Sequence, residues 1–279
     1  MARSFPWPSA ATALYGIIGH PVAHSLSPVI HNRAFEVMGI DAAYLAFDVI
    51  DPASALKGVK ALDIKGLSVT IPYKEAVLPF LDEIDPAAER IGAVNTVINH
   101  SGRLFGANTD WIGAIRALEE VVTIEGRRFL VLGAGGSARA VCAGLVMKGG
   151  VVHVANRRPE KARILAEAVG AAWSGLDRMA DVRASVLINT TSVGMRPGEG
   201  ESIVDKALLK GFDVVMDIVY SPPETRLLKE AKEYGCRVVS GLKMLLYQAE
   251  AQFELWTGQK APHEAMKGAL KAILDLADF

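Results

Sequence analysis

No stretch of this chain limits its fold more than Phe129-Leu130-Val131-Leu132-Gly133-Ala134-Gly135-Gly136-Ser137-Ala138. Four apolar residues in a row read as a strand buried on both faces, which is how strands look in a parallel sheet covered by helices. A helical pattern is under way by Arg139 and runs to Met147. The turn between them has the G-x-G-x-x-A form of a dinucleotide-binding turn. Gly133 permits the tight bend, Gly135 lets the backbone approach a pyrophosphate, and small Ala138 lets helix and strand pack closely. Glycine-rich turns are common, and it is the placement between strand and helix that gives this one weight. The Gly-Lys-Ser/Thr of a triphosphate loop is absent, which disfavours ATP chemistry.

The next strand, Val151 to Ala155, bears on which dinucleotide is bound. An NAD site usually ends this strand with a carboxylate for the ribose hydroxyl. Here the chain continues Asn156-Arg157-Arg158, with Lys161 one turn on. Guanidiniums suit a 2′-phosphate and no acid repels it, so the pattern favours NADP.

Strand and helix alternate along the rest of the chain, predicting an α/β fold paired through βαβ units. Strands are expected at Leu14 to Ile18, Ala43 to Val49, Leu67 to Ile71, Ile91 to Ile98, Ala184 to Asn189, Phe212 to Ile218 and Arg237 to Val239. A long helix from Ser240-Gly241-Leu242 to Trp256 and another from Ala265 to Leu276 close the chain. A length of 279 residues allows one large or two medium domains, and a net charge of −1 leaves no basic excess for nucleic acid. Cys142 and Cys236 are the only cysteines, too few for a disulfide framework or a Cys-rich zinc site. Met1 to Ala10 has no signal-peptide core and no run nears the roughly 18 apolar residues of a membrane span. A soluble, cytoplasmic protein is the expectation.

Polar residues stand at strand ends, where open α/β sheets bind ligands. Leu67 to Ile71 is stopped by Pro72 and delivers Lys74, an amine able to polarise a carbonyl or give up a proton, though a solvated lysine opening a helix (Tyr73 to Phe80) would look the same. Ahead of a helix from Val29 to Met38 stand Ser25 and Ser27, with Ser27 expected as N-cap and Pro28 at the first helical position. Two hydroxyls at a helix start suit a carboxylate or phosphate. His24 and His31 lack a third ligand at helical spacing, so no metal is expected. Asn95 falls in the apolar middle of a strand, where an amide must be paired: it either ties backbone groups or reads a ligand. Asp110 stands at the start of the helix Trp111 to Val121, where an N-cap is the commoner role for such a residue. Gln248, early in the long helix, could face solvent or a ligand.

Taken in order, His24-Ser25-Leu26-Ser27-Pro28, Val69-Thr70-Ile71-Pro72-Tyr73-Lys74, Gly92-Ala93-Val94-Asn95-Thr96, Asn108-Thr109-Asp110, Gly133 to Ala138, Asn156-Arg157-Arg158 and Gly241-Leu242-Lys243-Met244-Leu245-Leu246-Tyr247-Gln248 resemble the shikimate dehydrogenases over nearly the whole chain. The resemblance implies reduction of the ketone of 3-dehydroshikimate with NADPH, in aromatic amino-acid biosynthesis. It implies a mixed βαβ substrate domain (1–111), a Rossmann-type NADP domain (112–243) and C-terminal helices (244–279) returning to the first. Lys74 and Asp110 look like the catalytic pair, Asp110 orienting the ammonium. Ser25 and Ser27, helped by Tyr220, look like the carboxylate site, and Thr70, Asn95 and Gln248 like readers of hydroxyls. Gly133 to Ala138 with Asn156, Arg157, Arg158 and Lys161 look like NADP contacts, and Ile218 and Gly241 like the nicotinamide wall. The family more often has Asn-Arg-Thr where this chain has Asn156-Arg157-Arg158, which leaves the strictness of cofactor choice open. Near alternatives are a quinate/shikimate dehydrogenase that also takes NAD and, from another class, a non-catalytic NADP-binding regulator. Oligomeric state is not readable, with a homodimer left open.

Overall fold

The structure, a computed structural model, describes residues 8–279. The expectation about Met1 to Ala10 falls mostly outside that range. The elements in chain order are β1 (Ala13–Gly19), α1 (Ser27–Met38), β2 (Ala42–Asp48), α2 (Pro52–Ala61), β3 (Gly66–Val69), a 3-10 turn (Leu78–Phe80), β4 (Glu83–Ile84), α3 (Pro86–Ile91), β5 (Thr96–His100) and β6 (Arg103–Ala107). There follow α4 (Asp110–Glu119), β7 (Arg128–Leu132), α5 (Gly136–Met147), β8 (Val151–Asn156), α6 (Pro159–Val169), β9 (Ala172–Gly175), a 3-10 segment (Leu176–Asp181), β10 (Val186–Asn189), α7 (Lys206–Leu209), β11 (Val214–Asp217), α8 (Arg226–Glu233), β12 (Arg237–Ser240), α9 (Gly241–Thr257) and α10 (His263–Leu274). The chain forms two compact units, 1–109 with 248–278 and 110–247 with Phe279.

The first unit carries a six-stranded sheet in the order β2-β1-β3-β5-β6-β4. β1 pairs in parallel with β2 and β3, while β5 runs antiparallel to both β3 and β6. Strand order reverses between β1 and β3, so the loops leaving their carboxyl ends open a crevice at that point. Those loops hold Ser25 and Ser27 on one side and Thr70 and Lys74 on the other. The second half of α9 and all of α10 belong to this unit. Phe253 packs on Phe35 with ring centroids 5.8 Å apart, and Trp256 lies 5.4 Å from Tyr15 while its indole N–H donates to the Val97 carbonyl at 3.1 Å. A Cβ on Gly66 would lie 2.3 Å from that indole, so glycine in β3 is what lets the C-terminal helix come down on the sheet.

The second unit has six strands, all parallel, in the order β12-β11-β10-β7-β8-β9. This is the doubly wound order of a dinucleotide-binding domain, with its crevice at the carboxyl ends of β7 and β10. Phe129, Leu130, Val131 and Leu132 are all buried, as are Val186 to Ile188 and Val214 to Met216. The unbroken apolar runs arise because helices cover both faces.

Two expected elements differ. The helix expected from Tyr73 to Phe80 is a series of turns ending in the 3-10 turn. Pro79 has no N–H to offer the carbonyl of Glu75 four residues back, and the Lys74 carbonyl instead accepts from the Val94 N–H at 2.8 Å. The strand expected from Ile91 to Ile98 starts at Thr96. Asp85 caps α3, accepting from the N–H groups of Ala87 and Ala88 at 2.9 and 3.2 Å, so Ile91 belongs to that helix, and left-handed Gly92 (φ +68°) ends it.

Candidate active site

In the first unit, three segments are laced together below the crevice. The Thr70 N–H donates to the Ile18 carbonyl at 2.9 Å, His20 N–H to Ile71 at 3.1 Å, and Val69 N–H to Asn95 at 2.7 Å. Lys74 is half-buried and follows Tyr73, whose hydroxyl donates to the Val49 carbonyl at 2.6 Å. An anchored tyrosine before it and a bonded carbonyl on it fix the lysine backbone, so the ammonium is delivered from a rigid base. Gly19 makes room for this arrangement, since a Cβ there would meet the Thr70 methyl at 2.4 Å.

Ser27 does not cap its helix as expected. It is the first helical residue, and the cap position is Leu26, which makes no side-chain cap bond. Ser25 takes that role in part, its hydroxyl accepting from the Ser27 N–H at 3.3 Å. Ser27 is buried at the mouth of α1, where helix N–H groups and two hydroxyls favour an anion. His24 is exposed, and His31 is fully buried with its ring stacked 4.5 Å from Tyr44.

Asn95 sits at the centre of a buried cluster of amides and hydroxyls. Its Oδ1 accepts from the Thr109 N–H at 2.7 Å and from the Thr96 hydroxyl at 2.8 Å. Its Nδ2 donates to the Thr109 hydroxyl at 3.0 Å and to Gln248 Oε1 at 3.4 Å. The structure therefore brings Asn95 and Gln248 together: Gln248 is buried rather than solvated, and Asn95 ties the backbone of Thr109. Gln252, one turn on from Gln248, belongs to the same cluster and is buried. An amide recurring at i+4 on an apolar helix face is the signal in the sequence that points to it.

In the second unit, Gly133 has φ +118°, a region closed to other residues at low cost, and a Cβ there would lie 2.5 Å from the Thr190 hydroxyl. Thr190 in turn donates to the Leu132 carbonyl at 2.6 Å, closing the end of β7. Gly135 differs: its φ of −94° and ψ of −173° suit any residue, and a Cβ would meet no protein atom within 4 Å. Neither strain nor packing asks for glycine at Gly135, whereas a ligand resting on bare backbone at the start of α5 does. Ala138 is fully buried beneath it.

Beyond β8, the Asn156 amide donates to the Arg158 carbonyl at 3.1 Å and shapes the turn into α6. Arg157, Arg158 and Lys161 are exposed and have no ion-pair partner among the described residues, so their charge is available to a phosphate. A dinucleotide with a 2′-phosphate thus fits the residues present. Asp110, the first residue of α4, is buried. Tyr220 is partly buried, and burial raises its phenol pKa, keeping the hydroxyl neutral and able to donate. Gly241 lets the start of α9 approach the loop after β11, because a Cβ would meet the Ile218 carbonyl oxygen at 2.4 Å. Asp217, just before Ile218, is a buried carboxyl held by Thr225, Asn189 and the Val219 N–H, with its pKa raised by burial to about 6.

Comparison with known proteins joins these observations. Residues 17–97 match the family model for the shikimate dehydrogenase substrate binding domain, 116–195 that for shikimate/quinate 5-dehydrogenase, and 241–271 that for the shikimate 5′-dehydrogenase C-terminal domain. The NADP(+) shikimate dehydrogenase of Pyrococcus abyssi is 50% identical over 256 residues, 91% of this chain and 96% of its own. A crystal structure of a shikimate dehydrogenase in complex with NADP+ superposes with a TM-score of 0.91 at 42% identity, covering 96% of this chain and 98% of that one. The Thermus thermophilus enzyme in complex with NADP(H) and shikimate does so at 0.86 and 40%, covering 94% and 99%. With identity this high over nine-tenths of its length, and with family models matching both units, the chain belongs to the shikimate dehydrogenase family.

Proposed function

We infer that this chain catalyses the reversible, NADP-dependent reduction of 3-dehydroshikimate to shikimate, a step toward chorismate and the aromatic amino acids. The observation that carries it is the match to NADP(+) shikimate dehydrogenases over nine-tenths of the chain, spanning both the substrate and the dinucleotide units.

When bound, the reduced nicotinamide supplies the hydride that the ketone carbon receives. We propose Lys74 and Asp110 as the catalytic pair. Charge grows on the ketone oxygen as its carbon is reduced, and the Lys74 ammonium stabilises that alkoxide and protonates it. In the oxidative direction the amine takes the proton back. Asp110 accepts a hydrogen bond from a substrate hydroxyl. Ser25 and Ser27, with Tyr220, hold the substrate carboxylate, while Thr70, Asn95 and Gln248 read the hydroxyls. Gly133 to Ala138 receive the pyrophosphate, and Asn156, Arg157, Arg158 and Lys161 receive the adenosine end. Ile218 and Gly241 lie against the nicotinamide. The domains proposed are 1–111 for substrate, 112–243 for NADP and 244–279 as helices of the substrate domain.

No described helix is long and apolar enough to cross a membrane. We place the protein in the cytoplasm, since Cys142 and Cys236 are buried and unpaired and require no oxidising compartment. A homodimer is the proposed assembly, because β2 is an edge strand with Leu45 exposed, to be checked by sedimentation. The test of function is spectrophotometric: shikimate should reduce NADP, faster than quinate does and faster than with NAD. Absence of NADP reduction with shikimate would refute the assignment.

A further inference from the structure

We propose that Gln252, with Ser68, Tyr44 and Thr96, forms a one-way hydrogen-bond relay that positions Asn95 as a donor to the substrate. The inference rests on the reading of Asn95 as a substrate contact, and it adds why that amide faces the way it does. All of these side chains lie within the first unit.

An amide side chain can be placed either way round, and only fixed backbone groups reveal which way is real. Two such groups bracket this cluster. The Thr109 N–H can only donate, and it meets Asn95 at 2.7 Å, so the atom facing it is Oδ1. The Asn95 carbonyl can only accept, and it meets Gln252 at 3.1 Å, so that end of Gln252 is its NH2 group. Every other direction follows. Gln252 Oε1 faces Ser68 Oγ at 2.9 Å, so Ser68 must donate its single proton there. Ser68 therefore accepts from the Tyr44 hydroxyl at 2.6 Å. At the other end Gln252 Nε2 also donates to Thr96 Oγ1 at 3.0 Å, which leaves the Thr96 proton for Asn95 Oδ1 at 2.8 Å.

The chain of donors thus runs Tyr44 to Ser68 to Gln252 to Thr96 to Asn95. With Oδ1 committed, the NH2 group of Asn95 gives one proton to the Thr109 hydroxyl at 3.0 Å and the other to Gln248 Oε1 at 3.4 Å, the long bond that a substrate hydroxyl would replace on the proposed hydroxyl-reading side. Every member is buried, Tyr44 and Thr96 completely. In a buried network a wrong orientation leaves donors facing donors, so the polarity is strongly enforced. Gln252, Ser68 and Tyr44 are then positioning residues that act through Asn95.

The experiment measures kcat/KM of the full-length enzyme for shikimate and for the two analogues lacking one of its non-reacting ring hydroxyls. Gln252→Met and Thr96→Val should raise KM for shikimate about tenfold while leaving KM for NADP unchanged. They should also shrink the preference for shikimate over the deoxy analogue that Asn95→Ala no longer rejects. Thr96→Ser, which keeps the hydroxyl, should restore the preference. Ser68→Ala and Tyr44→Phe should show the same change in smaller measure, in that order, and cover the case in which Gln252→Met does not fold. If Gln252→Met and Thr96→Val lower kcat/KM for all three compounds in parallel, or not at all, while Asn95→Ala alters the preference, the relay is overturned and the substrate contact stands. If Asn95→Ala leaves both KM and preference unchanged, the substrate contact itself falls, and the relay's function with it.

Discussion

In the second unit, the turn from β7 to α5 offers a ligand almost nothing but backbone: Gly133 bends, Gly135 is bare, and Ala138 is tucked beneath. In the first unit, the proposed substrate contacts Asn95 and Gln248 are amides held in a buried network of side chains contributed from widely separated parts of the chain. A backbone site is specified by residues that are absent in bulk, at fixed offsets in one short segment. A side-chain site is specified by partners that meet only after folding. The two should therefore fail in different ways when altered.

The largest expected effect belongs to the first unit and to chemistry, where a side chain, Lys74, is the proposed reagent. Lys74→Ala should lower kcat about a thousandfold with little change in KM for shikimate, because the ammonium acts chiefly as charge develops. Steady-state kinetics with both substrates checks it, and near-normal turnover would remove Lys74 from its role.

The glycine turn gives a sharper contrast inside one motif. Gly133→Ala forces a Cβ into a left-handed position and to within 2.5 Å of the Thr190 hydroxyl, so it should cost about 2 kcal/mol or more of stability. Gly135→Ala meets no protein atom within 4 Å and should leave stability within about 0.5 kcal/mol, yet raise KM for NADP about tenfold. Chemical denaturation beside NADP titration separates the two, and equal stability loss in both would mean that packing, not a ligand, explains Gly135.

At the proposed adenosine end the charge is on side chains again, but exposed ones. Removing both guanidiniums, Arg157→Ala with Arg158→Ala, should raise KM for NADP by about tenfold or more while leaving KM for NAD nearly unchanged. A parallel rise for both nucleotides would point to stacking on the adenine rather than to phosphate pairing.

The same division explains which parts of the site are legible in the sequence. Gly133 to Ala138 and Asn156 to Arg158 are contiguous, and their chemistry depends on local offsets, so the cofactor turn and the NADP preference can be read directly. Lys74 and Asn95 stand out as anomalies, but their surroundings do not. The segment from Tyr73 reads as a helix start, because nothing nearby reveals that the Lys74 carbonyl bonds to Val94. Ser27 reads as a cap, since a serine before proline usually is one, yet the chain places it one residue inside α1. Gln252 is easily passed over because its partner Ser68 lies 184 residues away, and a glutamine on a helix is ordinarily solvated. The edge strand β9, with Trp173 exposed, has too little buried surface to leave a pattern.

A last comparison sets one buried titrating group in each unit against the other. His31 is fully buried, and burial depresses its pKa to about 3, with neighbouring Gln252 opposing more weakly. Below the unfolded value near 6.5 the unfolded chain takes up a proton that the native ring refuses, so stability falls with falling pH, by about 1.4 kcal/mol per unit. Asp217 in the second unit is raised to about 6, so there the native state holds the extra proton between the unfolded value of 3.8 and 6. Its contribution has the opposite sign: stability falls as pH rises through that window. Between these limits the two slopes largely offset each other in wild type. His31→Phe removes one of them, keeping the ring contact with Tyr44, and should leave a protein that gains stability on acidification from pH 6 to 4, measured by urea denaturation at each pH. If the variant instead keeps the wild-type profile, His31 is not the group that limits acid stability; if it loses stability over that range, other carboxylates outweigh Asp217.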